Sequence, residues 1–160
     1  MLKKYYTDEN NIPLNKIVKD KCKEHRCVLR GNYKDYIILD GDEIKDNLLK
    51  DFKSADCIII SREPYDGNKI DVIICELGRD KRWGDVKGKI IDSSEHFVEV
   101  INKSDFKIGK FICCFLGKYK NPKQIKKQKR ANIHIRGLNR HNIKIHNFNC
   151  GLEFEKLINL

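Results

Sequence analysis

Residues 55–81 read ADCIIISREPYDGNKIDVIICELGRDK, two apolar runs joined by a polar turn. Both runs are rich in β-branched residues, which favour strands. The Asp66–Gly67 pair between them is a strong hairpin signal, because glycine accepts a positive φ without steric penalty. The sequence therefore predicts two antiparallel strands, at residues 56–60 and 69–77.

The same turn predicts which residues face each other. A hairpin centred on Asp66 places Asp56 opposite Glu76, with their Cβ atoms about 5 Å apart. Opposed like charges destabilise a strand pair unless something compensates them. A divalent cation would do so, and carboxylate oxygens suit Mg²⁺ or Mn²⁺. The structural alternative is that Asp56 begins one strand while Glu76 ends the other and pairs with Arg79 or Lys81.

The rest of the chain adds helices and further strands. Apolar residues at helical spacing predict helices over residues 14–27 and 85–102. Apolar runs predict strands at 35–40 and 110–119, the second typical of a buried central strand. Alternating residues at 132–148 predict a hairpin with a basic outer side. The predicted fold class is α/β, a mixed β-sheet flanked by helices, with an α-β-β-β-α-β core plus a C-terminal β-hairpin.

Length and composition indicate one domain. The chain has 160 residues, of which 40% are hydrophobic and 35% charged, a balance typical of globular proteins. We assign residues 1–160 to a single domain, with the core at about 14–120 and a basic extension at about 121–160. Because the sequence has neither a membrane-length apolar run nor the apolar centre of a signal peptide, we expect a cytoplasmic protein with no membrane partner.

Positive charge is concentrated toward the C-terminal part of the chain. The net charge is +10, and residues 106–152 contain twelve Lys and Arg but no Asp or Glu. Such a block favours a polyanionic partner, most commonly nucleic acid, although a solubilising face is the alternative. The side chains expected to contact nucleic acid are Lys118, Lys120, Lys123, Lys126, Lys127, Lys129, Arg130, Arg136 and Arg140.

The cysteines offer a second candidate metal site. Cys22, His25 and Cys27 are residue types that bind zinc. They form one irregular cluster instead of two paired knuckles, which favours a helix with an exposed histidine over a zinc site. Four other cysteines fall in predicted strands and are expected to pack in the core as thiols: Cys57, Cys75, Cys113 and Cys114.

The pattern ADCIII, a hairpin and DVIICELG resembles the core of the PD-(D/E)XK nuclease superfamily, and the predicted order of elements is similar to that fold. The resemblance covers about residues 14–120. It implies metal-dependent hydrolysis of phosphodiester bonds, with Asp56 and Glu76 holding Mg²⁺ or Mn²⁺ and the Cys75 carbonyl as a candidate backbone ligand. It also implies a homodimer, since single catalytic domains of this size often pair to cut both strands.

One position departs from the family pattern. The family's lysine falls two residues after the glutamate, where this chain has Gly78. Such a cation orients the attacking water, and the candidates to replace it are Lys87 and Lys89 first and Lys81 next. The leading hypothesis is a metal-dependent endonuclease acting on DNA. The alternatives are a nuclease-fold nucleic-acid-binding module without chemistry, or a subunit of a larger repair or defence assembly.

Overall fold

The computed structural model describes residues 35–42, 53–121, 123, 126, 128, 131–149 and 154–160. The predicted helix at 14–27 and the Cys22, His25 and Cys27 cluster lie outside these residues. No helix within the described ranges is both long enough and apolar enough to cross a membrane.

In the part of the chain that the structure describes, five strands form one mixed sheet, in which each strand neighbours the next in chain order. Pairing is antiparallel from the first strand to the third and parallel from the third to the fifth. The described residues also contain two helices, so the predicted mixed α/β class is confirmed. The elements are β1 (Tyr36–Asp40), β2 (Cys57–Ser61), β3 (Lys69–Lys81), α1 (Trp83–Asn102), β4 (Lys107–Tyr119), β5 (Ile145–Phe148) and α2 (Phe154–Ile158).

The register between β2 and β3 is the one that the turn predicts. Cys57 pairs with Cys75 and Ile60 pairs with Val72. Asp66 and Gly67 in the connecting turn both have positive φ, at 37° and 75°. One residue beyond the Cys57–Cys75 pair, the same register places Asp56 beside Glu76.

Helix α1 connects β3 to β4, as parallel neighbours require a crossover. It begins two residues before the predicted helix and ends at the predicted residue. Because it starts directly after β3, its first turns lie at the end of the sheet that carries Glu76. Its buried apolar side chains pack into the main core cluster: Val86, Ile90, Phe97, Val98 and Ile101.

The predicted C-terminal hairpin at 132–148 is wrong. Among the described residues, this segment has a single antiparallel bridge, between Ile133 and Ile143. Ile145–Phe148 instead becomes β5, parallel to β4. Alternation reports an extended, half-buried chain but not its pairing partner. Here the inward side chains complete the core beside α1: Ile133, Ile135, Leu138 and Ile145.

The face of the sheet opposite α1 carries a row of cysteines. Cys57, Cys75 and Cys114 pair across β2, β3 and β4, and each is at most 1% exposed. Burial, as the largest effect, raises the pKa of the Cys57 and Cys75 thiols well above the usual range. They therefore pack as neutral thiols in the core, which confirms the prediction for the strand cysteines.

Two glycines have opposite surroundings and make a paired test of the packing. A Cβ on Gly117, whose φ is +151°, would lie 1.7 Å from the Gly78 carbonyl oxygen, whereas a Cβ on Gly88 in α1 would meet nothing within 4 Å. We expect Gly117→Ala to lower the free energy of unfolding by about 2 kcal/mol or more. Gly88→Ala should raise it by up to about 1 kcal/mol. Urea denaturation measures both, and similar effects of the two substitutions would contradict the close approach of β3 and β4.

Candidate active site

Asp56 and Glu76 lie side by side where β2 begins. Asp56 is 7% exposed and Glu76 is 1% exposed. The backbone N–H of Leu77 donates to Asp56 Oδ2 at 2.9 Å, and the backbone N–H of Asp56 donates to Glu76 Oε2 at 3.2 Å. Each carboxylate is therefore held by backbone beside the other, so the predicted juxtaposition of the two acids is present.

The chain before β2 is fixed by contacts from two other elements. Ser93 of α1 accepts a hydrogen bond from the Ala55 N–H at 2.6 Å. The Ser54 hydroxyl donates to the Gly41 carbonyl at 2.7 Å, and the Gly41 N–H donates to the Asp56 carbonyl at 3.0 Å. A Cβ on Gly41 would lie 1.6 Å from the Ala55 carbonyl oxygen. These contacts leave the Asp56 backbone little freedom.

Sequence reasoning missed these supporting residues. Ser93 and Ser94 are both fully buried, and they interrupt the apolar stripe of the predicted helix. Two hydroxyl groups on the buried side of a helix predict that this side contacts polar groups elsewhere in the protein, because buried polar groups need hydrogen-bond partners. Nothing in the local sequence identifies Gly41 as the partner of residues 54–56, since that contact joins two segments distant in the chain.

Two lysines meet on one oxygen of Glu76. Lys89 Nζ of α1 donates to Glu76 Oε1 at 2.9 Å, and Lys81 Nζ at the end of β3 lies 3.5 Å from the same atom. Lys87 is exposed and lies about 200° around the helix from Lys89, because an α-helix has 3.6 residues per turn. The structure thus brings Lys89 and Lys81, but not Lys87, to the predicted metal ligands.

Lys81 occupies the space that a side chain at position 78 would enter. A Cβ on Gly78, whose φ is +138°, would lie 2.5 Å from Lys81 Cε. The β3–β4 pairing is irregular between Gly78 and Lys81, and Asp80 within this stretch has a φ of 55°. This irregularity turns the Lys81 side chain back over Gly78 toward Glu76.

Burial and neighbouring charges shift the pKa values of Glu76 and Lys89. Burial, and after it the adjacent Asp56 carboxylate, raises the pKa of Glu76 to about 7, although Lys89 and Lys81 act to lower it. For Lys89, burial acts to lower the pKa, but the hydrogen bond to Glu76 and the nearby carboxylates outweigh it, so the pKa is raised. Asp42, just after β1, is one of those carboxylates.

The donor set fits Mg²⁺ or Mn²⁺. These ions prefer hard oxygen ligands, and Mg²⁺ commonly binds through one or two carboxylates together with water and substrate phosphate. In the described part of the chain, no group of three or more His, Cys, Asp or Glu side chains is placed to hold a metal ion. Asp56 and Glu76 would hold the ion. The Cys75 carbonyl, in the strand beside Glu76, stays a predicted ligand.

The predicted nucleic-acid contacts divide into two locations. Lys118, Lys120, Lys123 and Lys126 are exposed, while Lys127, Lys129 and Arg130 lie outside the described residues. The Lys120 N–H donates to the Lys81 carbonyl at 2.9 Å. Lys118 and Lys120 therefore lie at the same end of the sheet as Glu76.

The two predicted arginines lie elsewhere and contact the protein itself. The Arg136 guanidinium donates to Glu95 at 2.7 Å on the outer side of α1. The Arg140 guanidinium donates to the carbonyls of Ile108 and Gly109 near the start of β4. Ile108 pairs with Ile70, six residues before Glu76 and thus about 20 Å away along the strand. The structure does not bring Arg140 to the acidic pair.

A surface groove of about 530 Å³ lies between α1 and the segment around Arg136 and Gly137. It does not include Asp56 or Glu76. Of the charged side chains that line it, Arg136 is bound to Glu95 and Lys103 to Glu99, and Asp92 adds a third carboxylate. This groove therefore offers less reactive chemistry than the buried acidic pair.

Comparison of the chain with family models, with curated proteins and with solved structures finds no match.

The raised pKa of Glu76 predicts a pH dependence of stability with a definite sign. Its folded pKa of about 7 lies above the ordinary value of 4.5, so the folded protein keeps a proton that the unfolded chain loses between these pH values. The free energy of unfolding should therefore fall as pH rises through this range, by the order of 2 kcal/mol. The test is denaturation of wild type and Glu76→Gln in EDTA at pH 5 and pH 8. The free energy of unfolding of wild type relative to that of Glu76→Gln should fall by this amount between the two pH values.

Glu95→Gln is the matched control for that measurement. The hydrogen bond from Arg136 lowers the pKa of Glu95, so its contribution to stability is present above the unfolded pKa and is lost as pH falls through the folded pKa. The difference between wild type and Glu95→Gln should therefore stay constant between pH 5 and pH 8. A constant difference for Glu76→Gln over the same range would contradict the raised pKa of the buried Glu76 carboxyl.

Proposed function

We propose that this chain is a metal-dependent endonuclease that hydrolyses phosphodiester bonds, with DNA as its substrate. The observation that carries the proposal is the buried pair of Asp56 and Glu76. Both carboxylates accept hydrogen bonds from adjacent backbone, and two lysine amines contact Glu76. A small cluster of carboxylates and lysines with a strongly shifted pKa is characteristic of catalytic sites. The PD-(D/E)XK resemblance supports the same reading.

The cost of burying two neighbouring carboxylates supports a cation-binding role. Removing an ionised carboxylate from water is unfavourable unless it is paired and hydrogen-bonded. One structural ion pair would need a single acid, yet here a second acid lies directly alongside, and the pKa of Glu76 rises to about 7. A divalent cation bound by both carboxylates would stabilise their ionised forms together.

The residues of the site have separable roles in this proposal. Asp56 and Glu76 would hold the ion, which when bound would activate water and stabilise the charge that develops on the phosphodiester. Lys89, the nearer amine to Glu76, orients the attacking water by hydrogen bonding. Lys81 adds positive charge beside the phosphate, in the space above Gly78. The Asp56 and Leu77 N–H groups keep the carboxylates in place.

The wider proposal concerns partners and location. The exposed lysines beside the site favour a polyanionic substrate. Pairing of two chains would allow both strands of a duplex to be cut, and we propose a homodimer on that ground. A cytoplasmic location agrees with thiol cysteines buried in the core.

The second candidate is a nucleic-acid-binding module without chemistry, alone or as a subunit of a larger repair or defence assembly. Two observations favour it: the position expected for the family's lysine is Gly78, and both nearby amines already contact Glu76. In that case the lysines would serve to neutralise a buried acid. Removing Asp56 would then leave DNA binding unchanged or stronger.

Cleavage of plasmid DNA and of single-stranded DNA tests the proposal. Wild type, Asp56→Ala and Glu76→Ala are compared with Mg²⁺, Mn²⁺ or EDTA. We expect metal-dependent cutting by the wild type and a loss of at least about 1000-fold in both variants, since each removes a metal ligand. Asp66→Asn, which changes an exposed acid in the β2–β3 turn, is the control. Folded wild type that binds DNA but cuts nothing in either metal would favour the binding module.

The lysine assignments give a second, graded prediction. Lys89→Met should reduce the cleavage rate by about 100-fold or more, as expected on losing a group that assists proton transfer. Lys81→Met should cause a smaller loss, because its amine is farther from Glu76. Lys87→Met is the matched control in the same helix and should cleave within about twofold of wild type. Single-turnover rates measure all three, and equal losses for Lys87→Met and Lys89→Met would contradict the assignment.

A further inference from the structure

Strands β3 and β4 continue together past the rest of the sheet. β2 pairs with β3 no further than Cys75, and β5 pairs with β4 no further than Leu116. Beyond these points β3 runs to Lys81 and β4 to Tyr119, still paired with each other. We call residues 78–82 and 117–120 the terminal ribbon.

The terminal ribbon is fixed to the core by aromatic packing. Tyr119 is 5% exposed, and its ring centroid lies 4.4 Å from that of Phe115 and 5.8 Å from that of Trp83. Its hydroxyl donates to Asn147 Oδ1 at 2.5 Å. Tyr119 is therefore buried, whereas the lysines on either side of it, Lys118 and Lys120, are exposed.

The exposed side chains of the terminal ribbon are mostly basic. Arg79, Arg82, Lys118 and Lys120 are all exposed, and Asp80 is the ribbon's one acidic residue. Within the described ranges of the chain, no carboxylate lies within salt-bridge distance of these four cations. Four exposed cations within and just beyond the ends of two paired strands give this part of the protein a local excess of positive charge, which favours binding of phosphates.

We infer that the terminal ribbon binds the sugar–phosphate backbone of duplex DNA next to the phosphodiester held at Asp56 and Glu76. Lys81 belongs to the ribbon, and its amine lies 3.5 Å from Glu76, so the basic surface begins at the acidic pair. A two-stranded ribbon is also of a size that the major groove admits. The identity of the polyanion rests on the proposed function, while the phosphate-binding surface rests on the ribbon's geometry and charge.

Salt-dependent binding tests the inference without any cleavage. Wild type, Arg79→Gln/Lys118→Gln and a control, Lys107→Gln/Lys144→Gln, are titrated against a fluorescein-labelled DNA duplex of about 20 base pairs in EDTA. Both double variants lower the net charge equally, and the control lysines are exposed but lie outside the ribbon. We expect the ribbon variant to reduce the slope of log K against log salt by about 1.8, for two lost phosphate contacts, and to bind at least about tenfold more weakly. The control should match wild type within about twofold.

Three results would overturn the inference: no binding by the wild type, equal weakening in both double variants, or no weakening in the ribbon variant. Circular dichroism and melting temperature check that each variant is folded. Cleavage assays on the same proteins, with Glu76→Ala as the variant expected to lose cleavage, separate this inference from the proposed hydrolysis. If the ribbon variant binds DNA more weakly but the wild type never cleaves DNA, the binding surface is supported and the proposed nuclease activity is contradicted. If the wild type cleaves DNA but the ribbon variant binds as tightly as wild type, the nuclease activity is supported and the binding surface is contradicted.

Discussion

The reciprocal hydrogen bonding between the start of β2 and β3 is the interaction on which the rest of the site depends. The Leu77 N–H binds Asp56, and the Asp56 N–H binds Glu76. A one-residue slip in this register would send every side chain of the strand to the opposite face. It would also separate the two acids. The antiparallel pairing that builds the core therefore also fixes the distance between the two carboxylates.

The remaining elements place cations around this acidic pair. Helix α1 begins directly after β3, at the end of the sheet that carries Glu76. This places Lys89 Nζ 2.9 Å from Glu76 Oε1. The irregular end of β3 brings Lys81 to the same oxygen. Continued pairing of β3 with β4 then extends positive charge outward along the terminal ribbon. The charge therefore changes from a buried acidic pair to an exposed group of cations within a few residues.

Local signals in the sequence were sufficient for the features that short-range chemistry determines. The Asp66–Gly67 turn specified the register, and with it the pairing of Asp56 with Glu76. The apolar stripe of α1 located that helix to within two residues. In contrast, the alternation at 132–148 predicts the wrong pairing partner, because a half-buried strand has the same pattern whether it pairs with its neighbour in the chain or with β4. The choice of Lys89 over Lys87, and the return of Lys81 over Gly78, depend on helix phase and on a strand irregularity that the sequence does not mark.

Binding of Mn²⁺ to the folded protein is the most direct test of the central claim, that Asp56 and Glu76 form one divalent-cation site. Electron paramagnetic resonance of free Mn²⁺ during titration counts the bound ions for wild type, Asp56→Asn, Glu76→Gln and the exposed-acid control Asp66→Asn. The expected result is binding by wild type and Asp66→Asn that both site substitutions abolish, and that Mg²⁺ displaces. Equal Mn²⁺ binding by all four proteins, or none by folded wild type, would contradict the claim and leave the buried acids as a structural feature of the sheet.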